Sequence, residues 1–453
     1  MSTLDRSTPP APAPLREFRF PRIRRRVLDN GMTVLHAVHG IAPIVTIHFV
    51  ADAGAVREGN ARAGLAELTA NLLETGTASK DAQQIAVELE TLGAQLETAV
   101  SWDATSLSLT VPAEHAPTAL AILGEILLQP AFVSSEFERL RQEQLGQIVR
   151  RKQDPRLLAA DVMGRFFYAP ESPYSRPLIG TTETVSALGQ HDVIEFYHDR
   201  FGPATSAVLL VGAVDERLLA AVEHTFGAWE SAAKPGAAVP TNPATDRTTV
   251  YIVDRPGSVQ SELRIGHVGL ARHHPDFFPV VVMNAILGGL FTSRLNLNLR
   301  EKHGFTYGAR SAFAFRRYPG PFVMQAAVAN DVTARAVEES LREVDLLRDN
   351  GATIDEVIAA RDFIIGVQPL ELQTTEQLAV RLAEIFTFDL PDDYFDHFRR
   401  GIAEVTPDDV KRVAVEHIHP DRFAIVVVGS AEHVEKPLRD LDLGPVLTHR
   451  IND

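Results

Sequence analysis

Two side chains seven positions apart, Arg300 and Tyr307, are the residues best suited to meet a developing negative charge. Arginine presents a rigid fork of N–H donors and keeps its proton; tyrosine adds one O–H donor. The pair suits a carbonyl or carboxylate oxygen. The run Arg300-Glu-Lys-His-Gly304-Phe-Thr-Tyr307 places a glycine between them, so a turn can aim both at one point. The surrounding stretch, 284–311, sets them up. An apolar helical run stops at Gly288-Gly289, and a second helix carries Arg294 and Arg300. Donors assist chemistry that something else begins, so the rest of the chain must be searched for a base, a nucleophile or a metal.

At 453 residues the chain is long enough for two or more domains. Apolar residues at 45% and charged residues at 23% match an ordinary globular protein with ample core. A net charge of −15 argues against a nucleic-acid partner, because phosphate backbones select basic surfaces. The absence of cysteine removes disulfides, thiolate metal ligands and thiol nucleophiles together. No apolar run reads as a membrane span and no signal peptide is visible. We expect a soluble protein of the bacterial periplasm whose signal has been removed, with the cytoplasm as the alternative.

The elements that position the donors follow in order. Residues 1–15 read as a disordered tail. The arginines of 16–26, interleaved with Phe18, Phe20 and Ile23, read as an extended lead-in with one packed face. Asn30-Gly31 marks a hairpin across 27–36. A buried strand over 43–51 precedes a loop at 53–58 and a helix near 62–75 that Gly76 ends. Helices at 81–93, 114–128, 134–151 and 191–201, and strands at 95–100, 106–111 and 206–212, complete the first half. Residues 231–248 are rich in Pro, Ala and Thr and read as a linker. The implied domains are 16–230 and 249–453.

The second half repeats the first. Asp192-Val193 and the strand Ala207–Gly212 recur as Asp409-Val410 and Ala424–Gly429, 217 residues later. Leu109-Thr-Val111 recurs as Ala326-Ala-Val328 at the same offset. Ser135-Glu136-Phe137 matches Asp355-Glu356-Val357, and the helix ending at Leu73 matches the one ending at Leu287. Each half mixes hairpin strands with helices. The fold class is therefore α+β: two homologous domains, each an antiparallel sheet covered by helices. The Arg/Tyr stretch follows the second copy of helix 62–75, which makes the first copy the place to look for the missing chemistry.

With these features the chain resembles the pitrilysin, insulinase and mitochondrial processing peptidase family of zinc peptidases, from about Val27 to Gly429. The resemblance implies two domains forming half of a clam-like chamber. It also implies a helical H-x-x-E-H motif whose two histidines bind zinc and whose glutamate activates water, with a further Glu ligand about 76 residues on. Here Gly64-Leu-Ala-Glu67-Leu-Thr-Ala70-Asn71 and Gly76-Thr77 keep the flanks of that motif. The first His position holds Glu67, the base position Ala70, the second His position Asn71, and the distal Glu position Gln147. By contrast, Arg300 and Tyr307 match the family's arginine–tyrosine element, which the resemblance assigns to substrate carbonyl binding and oxyanion stabilisation.

The remaining histidines do not form a metal set by spacing. His36 and His39, His191 and His198, His273-His274, and His417 with His419 read as surface or capping residues. The implied function is a non-catalytic subunit of a heteromeric zinc metallopeptidase. It would hold no metal or other cofactor itself. A homologous H-x-x-E-H subunit would supply zinc, and the substrates would be peptides. The alternative is a structural scaffold or peptide-holding protein of the same fold.

Overall fold

The computed structural model describes residues 18–40 and 42–450, so the expected tail at 1–15 and Arg16 lie outside the described residues. The first half runs β1 (Arg24–Val27), β2 (Thr33–Val38), β3 (Ile44–Ala51), α1 (Leu65–Leu73), α2 (Ala82–Thr91), β4 (Glu97–Val100), β5 (Thr105–Pro112), α3 (Ala116–Leu128), α4 (Ser134–Gln153), α5 (Pro155–Phe167), α6 (Thr182–Ala187), α7 (Gln190–Arg200), β6 (Ser206–Gly212) and α8 (Glu216–Phe226). The second runs β7 (Thr249–Asp254), β8 (Gln260–Val268), α9 (Phe277–Asn284), α10 (Arg294–Asn296), β9 (Ala309–Phe313), β10 (Pro321–Ala329), α11 (Thr333–Asn350), α12 (Ile354–Val367), α13 (Thr375–Thr387), α14 (Tyr394–Ala403), α15 (Pro407–His417), β11 (Ala424–Gly429), α16 (Ala431–Arg439) and β12 (Val446–Arg450).

The repeat read from sequence is a repeat in space. The two six-stranded sheets have orders β1-β2-β6-β3-β5-β4 and β12-β7-β11-β8-β10-β9, so each strand from the second position on has its counterpart. The sheets are mixed, however, and not purely antiparallel. β2 runs parallel to β6, and β7 runs parallel to both β11 and β12. The reason is the long helical excursion between β2 and β6, which returns the chain to β2 in the same direction; short hairpins cannot do this. The outermost strand also differs between halves. An N-terminal hairpin strand fills it in the first, with Val27 opposite Thr33, and the C-terminal strand fills it in the second.

Each sheet is buried on both faces. This is why β6 and β11 are unbroken apolar runs and not alternating ones. One face packs on helices of its own half: Ile47, Phe49, Leu109 and Leu210 meet the helical core of the first, and Ile265, Phe322, Met324 and Val427 that of the second. The other face is covered by a helix from the opposite half. Leu378, Leu382 and Ile385 of α13 lie on Leu35, Val50, Leu209 and Val211. Reciprocally, Leu158, Ala159, Phe166 and Phe167 of α5 lie with Val253, Val323, Val426 and Val428. Each buried Leu or Phe in such a seam contributes roughly 1.5–3 kcal/mol. The lead-in joins the first seam through Phe20, and Arg25 pairs with Asp392 at 2.7 Å.

By length and hydropathy the stretch Phe277–Lys302 would pass as a membrane span. Here it is a core element. α9 buries Phe277, Val280, Val282 and Met283, passes into a π-helical turn at Ala285–Gly289, and breaks before α10. Residues 231–248 carry no helix or ladder strand, and they are fastened at several points. Arg57 Nη1 and the Tyr318 hydroxyl both donate to the Ala237 carbonyl, at 2.6 and 3.1 Å, and Gly236 N–H donates to Asp52 at 3.0 Å.

Candidate functional site

The position of α1 is set at its first turn. Gly64 caps the helix with φ of 93°, a conformation an L side chain resists. A Cβ there would also stand 2.5 Å from the Ile179 carbonyl oxygen. Glu58, fully buried, accepts from the N–H groups of Gly64 and Ala66 at 3.1 and 2.6 Å and pairs with Arg176 at 3.3 Å. This satisfies orphan donors of the helix start and places a carboxylate at its positive end. Burial pushes the Glu58 carboxyl up to about 7, against the pull of Arg176 and the two amides. From α4, the buried Gln144 donates to the carbonyls of Gly64 and Ile179, both at 2.9 Å. α1 and α4 are thus locked together where a bridging site would need them.

On this frame the four substituted positions fall as follows. Glu67 and Asn71 are partly buried and one turn apart on the same face of α1. Burial raises the Glu67 carboxyl, and Asn71 and Arg151 oppose the shift. Ala70 is wholly buried and offers only a methyl group. Gln147 lies on α4 one turn after Gln144 and one turn before Arg151, which makes a bidentate pair with Asp161 of α5 at 2.6 and 2.8 Å. This donor set is one carboxylate, two amides and a methyl, with a guanidinium close enough to bias the carboxylate. Zinc favours thiolate, imidazole and carboxylate donors, and a general base needs a proton acceptor at position 70. The residues present do not fit the metal.

The second half does not restore the set. By the helix correspondence, Glu67, Asn71 and Gln147 become Val281, Ala285 and Val367. The Arg151–Asp161 pair becomes Glu371 with Arg381, joined at 3.0 Å with the charges exchanged. The ion pair survives as a link between the helix pair; only its polarity differs.

Arg300 lies in a π-helical turn, Leu297–Lys302, that continues α10, and Gly304 follows with φ of 64°. Its guanidinium stacks over Phe291, 4.5 Å from the ring centroid, and stands 3.3 Å from Glu301. Tyr307 is 96% exposed, and Phe291 is 66% exposed. The turn is anchored beneath: Asn296 donates to the Phe291 carbonyl at 2.7 Å and accepts from Ala309 N–H at 3.2 Å, and Arg294 pairs with Glu356 at 2.7 Å. Among the described residues no hydrogen bond or ion pair joins Arg300 or Tyr307 to Glu67, Asn71 or Gln147. Sequence spacing missed Glu58, Gln144 and Arg151. Their only signals were a Glu six residues before the helix glycine and polar residues one turn either side of Gln147.

Two α+β halves of matching strand order, with a polar helix face in one and an Arg/Tyr turn in the other, define a protein of the two-domain zinc-peptidase class. The chain belongs to peptidase family M16. The family model "Insulinase (Peptidase family M16)" matches residues 34–181, and "Peptidase M16 inactive domain" matches residues 188–363. It is 26% identical over 399 residues to an uncharacterized zinc protease of Streptomyces coelicolor, covering 86% of each chain. It is 26% identical over 276 residues to a probable mitochondrial-processing peptidase subunit beta of Schizosaccharomyces pombe, covering 59% of each. A crystal structure of a peptidase M16 inactive domain from Pseudomonas fluorescens superposes with a TM-score of 0.82 at 25% identity, covering 90% of this chain and 98% of that one.

Proposed function

We propose that this chain is the non-catalytic subunit of a heteromeric zinc metallopeptidase. It contributes Arg300 and Tyr307 to a site whose zinc belongs to a homologous H-x-x-E-H partner. The observation that carries this reading is the contrast between two sites of one chain. The α1 face holds Glu67, Ala70, Asn71 and Gln147, which suit neither metal nor base, whereas Tyr307 is exposed to solvent seven residues after Arg300, whose guanidinium stacks on Phe291. A phenol with no hydrogen-bond partner among the described residues is available to a second chain. Donors aimed at the oxygen of a tetrahedral intermediate are worth most when they come preorganised, and the Asn296 and Arg294 anchors give that turn its rigidity.

The substrates on this reading are extended peptides. β4 is one of the two edge strands of the first sheet and packs beside α1. Its free backbone groups can take up a peptide strand. The existence of a relative named as a processing-peptidase subunit supports a heteromeric arrangement. The test is reconstitution. The chain is mixed with an H-x-x-E-H homologue, and cleavage of fluorogenic peptides is followed with mass measurement of the complex. The reading expects no cleavage by this chain alone, a one-to-one complex, and cleavage by the mixture above that of the homologue alone. A complex whose cleavage does not exceed that of the homologue would favour the scaffold role instead.

A further inference from the structure

The fold assembles a group of metal-type donors that is remote in sequence and apart from the α1 face: His274, Asp276 and His417. Asp276 sits at the start of α9, and His417 is the last residue of α15. His417 Nε2 lies 2.7 Å from Asp276 Oδ2, and His274 Nδ1 lies 4.0 Å from the same oxygen. The two imidazoles meet edge to face, 5.0 Å apart at 82°. One donor atom from each of the three residues falls within 4.8 Å of the others, the one such grouping among the described residues.

These separations bracket what a small cation needs. Imidazole nitrogen and carboxylate oxygen at zinc-like bond lengths of about 2.0–2.2 Å stand roughly 3.3 Å apart around a tetrahedral centre. The other carboxylate oxygen, Oδ1, is held by Arg412 Nη2 at 2.8 Å, which orients Asp276 and leaves Oδ2 for a ligand. Arg412 also donates to Glu416 at 2.8 Å and stands 3.9 Å from Asp409, so its charge is shared among three carboxylates. His274 Nδ1 accepts from the Asp276 N–H at 3.1 Å, a bond it must give up if that nitrogen is the ligand. The three side chains are partly exposed, at 33%, 18% and 13%, so solvent and ions reach them.

The first half shows that docking does not require the imidazoles. There α7, the counterpart of α15, is tied to the segment before α1 by Arg62 with Glu195 at 2.7 Å and Asp192 at 3.2 Å. Arg412 occupies the place of Glu195, and His417 the place of Arg200. In the second half the Asp276–Arg412 pair does the same tying, and two histidines are added to it.

We propose that His274, Asp276 and His417 form a binding site for a divalent transition cation of the zinc type, which staples the start of α9 to the end of α15. The donor class, two imidazoles and one carboxylate, selects zinc, nickel or copper over magnesium and calcium. Binding displaces the proton from the ligating His417 nitrogen, and solvent takes it up. The histidine spacings had pointed to no metal, because 274 and 417 converge only in the fold.

The test is calorimetric titration of the full chain, freed of metal, with ZnCl2 and in parallel with MgCl2. About one zinc per chain is expected, with no saturable magnesium binding and with a rise in the thermal midpoint. His274→Ala and His417→Ala should each weaken zinc binding by on the order of 10–100-fold or more. If His417→Ala fails to fold, His274→Gln on the exposed side gives the same reading. Glu67→Ala with Asn71→Ala should leave zinc binding unchanged, which separates this site from the α1 face and from the proposed subunit role. Absence of saturable zinc binding, or binding indifferent to both histidines, overturns the proposal.

Discussion

If α1 and α4 retain the frame of a zinc site and lack only its donors, restoring the donors should restore the metal. The variant combines Glu67→His, Ala70→Glu, Asn71→His and Gln147→Glu, built on His274→Ala to silence the second-half cluster. The structure says why convergence is expected. Glu67 and Asn71 already share one face of α1, and Gln144 pins α4 to the first turn of that helix. The cost is also legible. Ala70 is completely buried, so a glutamate there overpacks the site by about 1–3 kcal/mol in the absence of metal. Zinc at a thousand times its dissociation constant returns about 4 kcal/mol. In a half of some two hundred residues this corresponds to a rise of roughly 8–16 °C in the thermal midpoint. The assay is thermal unfolding with and without zinc, with metal content by atomic emission. A folded variant that binds no zinc would refute the claim that the frame is intact. Zinc binding by the parent α1 face, abolished by Glu67→Ala, would refute the claim that it is degenerate.

Burial holds His48 at about 4 and His267 at about 3, so both are neutral in the folded chain and charge in the unfolded one below about 6.5. Their stability contribution is therefore present above pH 6.5 and is lost as pH falls. His48→Gln should gain on the parent by roughly 3 kcal/mol between pH 6.5 and 4, measured by urea unfolding. Leu382→Ala empties a fully buried position of α13 in the second half, yet it should lower stability by about 2–5 kcal/mol as read by tryptophan fluorescence. Both tryptophans, Trp102 and Trp229, lie in or beside the first half, so this readout tests the exchange of helices between halves. Gly64→Ala should cost at least about 2 kcal/mol, from its left-handed backbone and the 2.5 Å approach of Ile179 oxygen, and should abolish reconstituted activity if α1 borders the substrate path.

Much of this was legible before the structure. The uninterrupted apolar run at 206–212 and its copy at 424–429 read as strands because both faces are buried, and both are. The Asn30-Gly31 turn read as a hairpin, and β1 and β2 form one. The parallel pairings were not legible, because strand direction depends on where a long connection returns and not on local pattern. The exchange of α5 and α13 was equally hidden: an amphipathic helix announces that it has an apolar face, not which sheet receives it. At the site, Glu67, Ala70, Asn71 and Gln147 could be placed by motif. Arg151, Gln144 and Glu58 could not: Gln144 acts across 80 residues, and the shorter-range contacts of Glu58 and Arg151 follow no motif spacing. The His274–Asp276–His417 group is the extreme case, closing a span of 141 residues.

The central claim is that Arg300 and Tyr307 serve a zinc held by another chain, and turnover of the reconstituted complex tests it most directly. With the H-x-x-E-H partner saturated, Tyr307→Phe and Arg300→Ala should each lower kcat by on the order of 100–1,000-fold, with the mass of the complex unchanged. A complex of the same mass whose kcat is indifferent to both substitutions would contradict the claim.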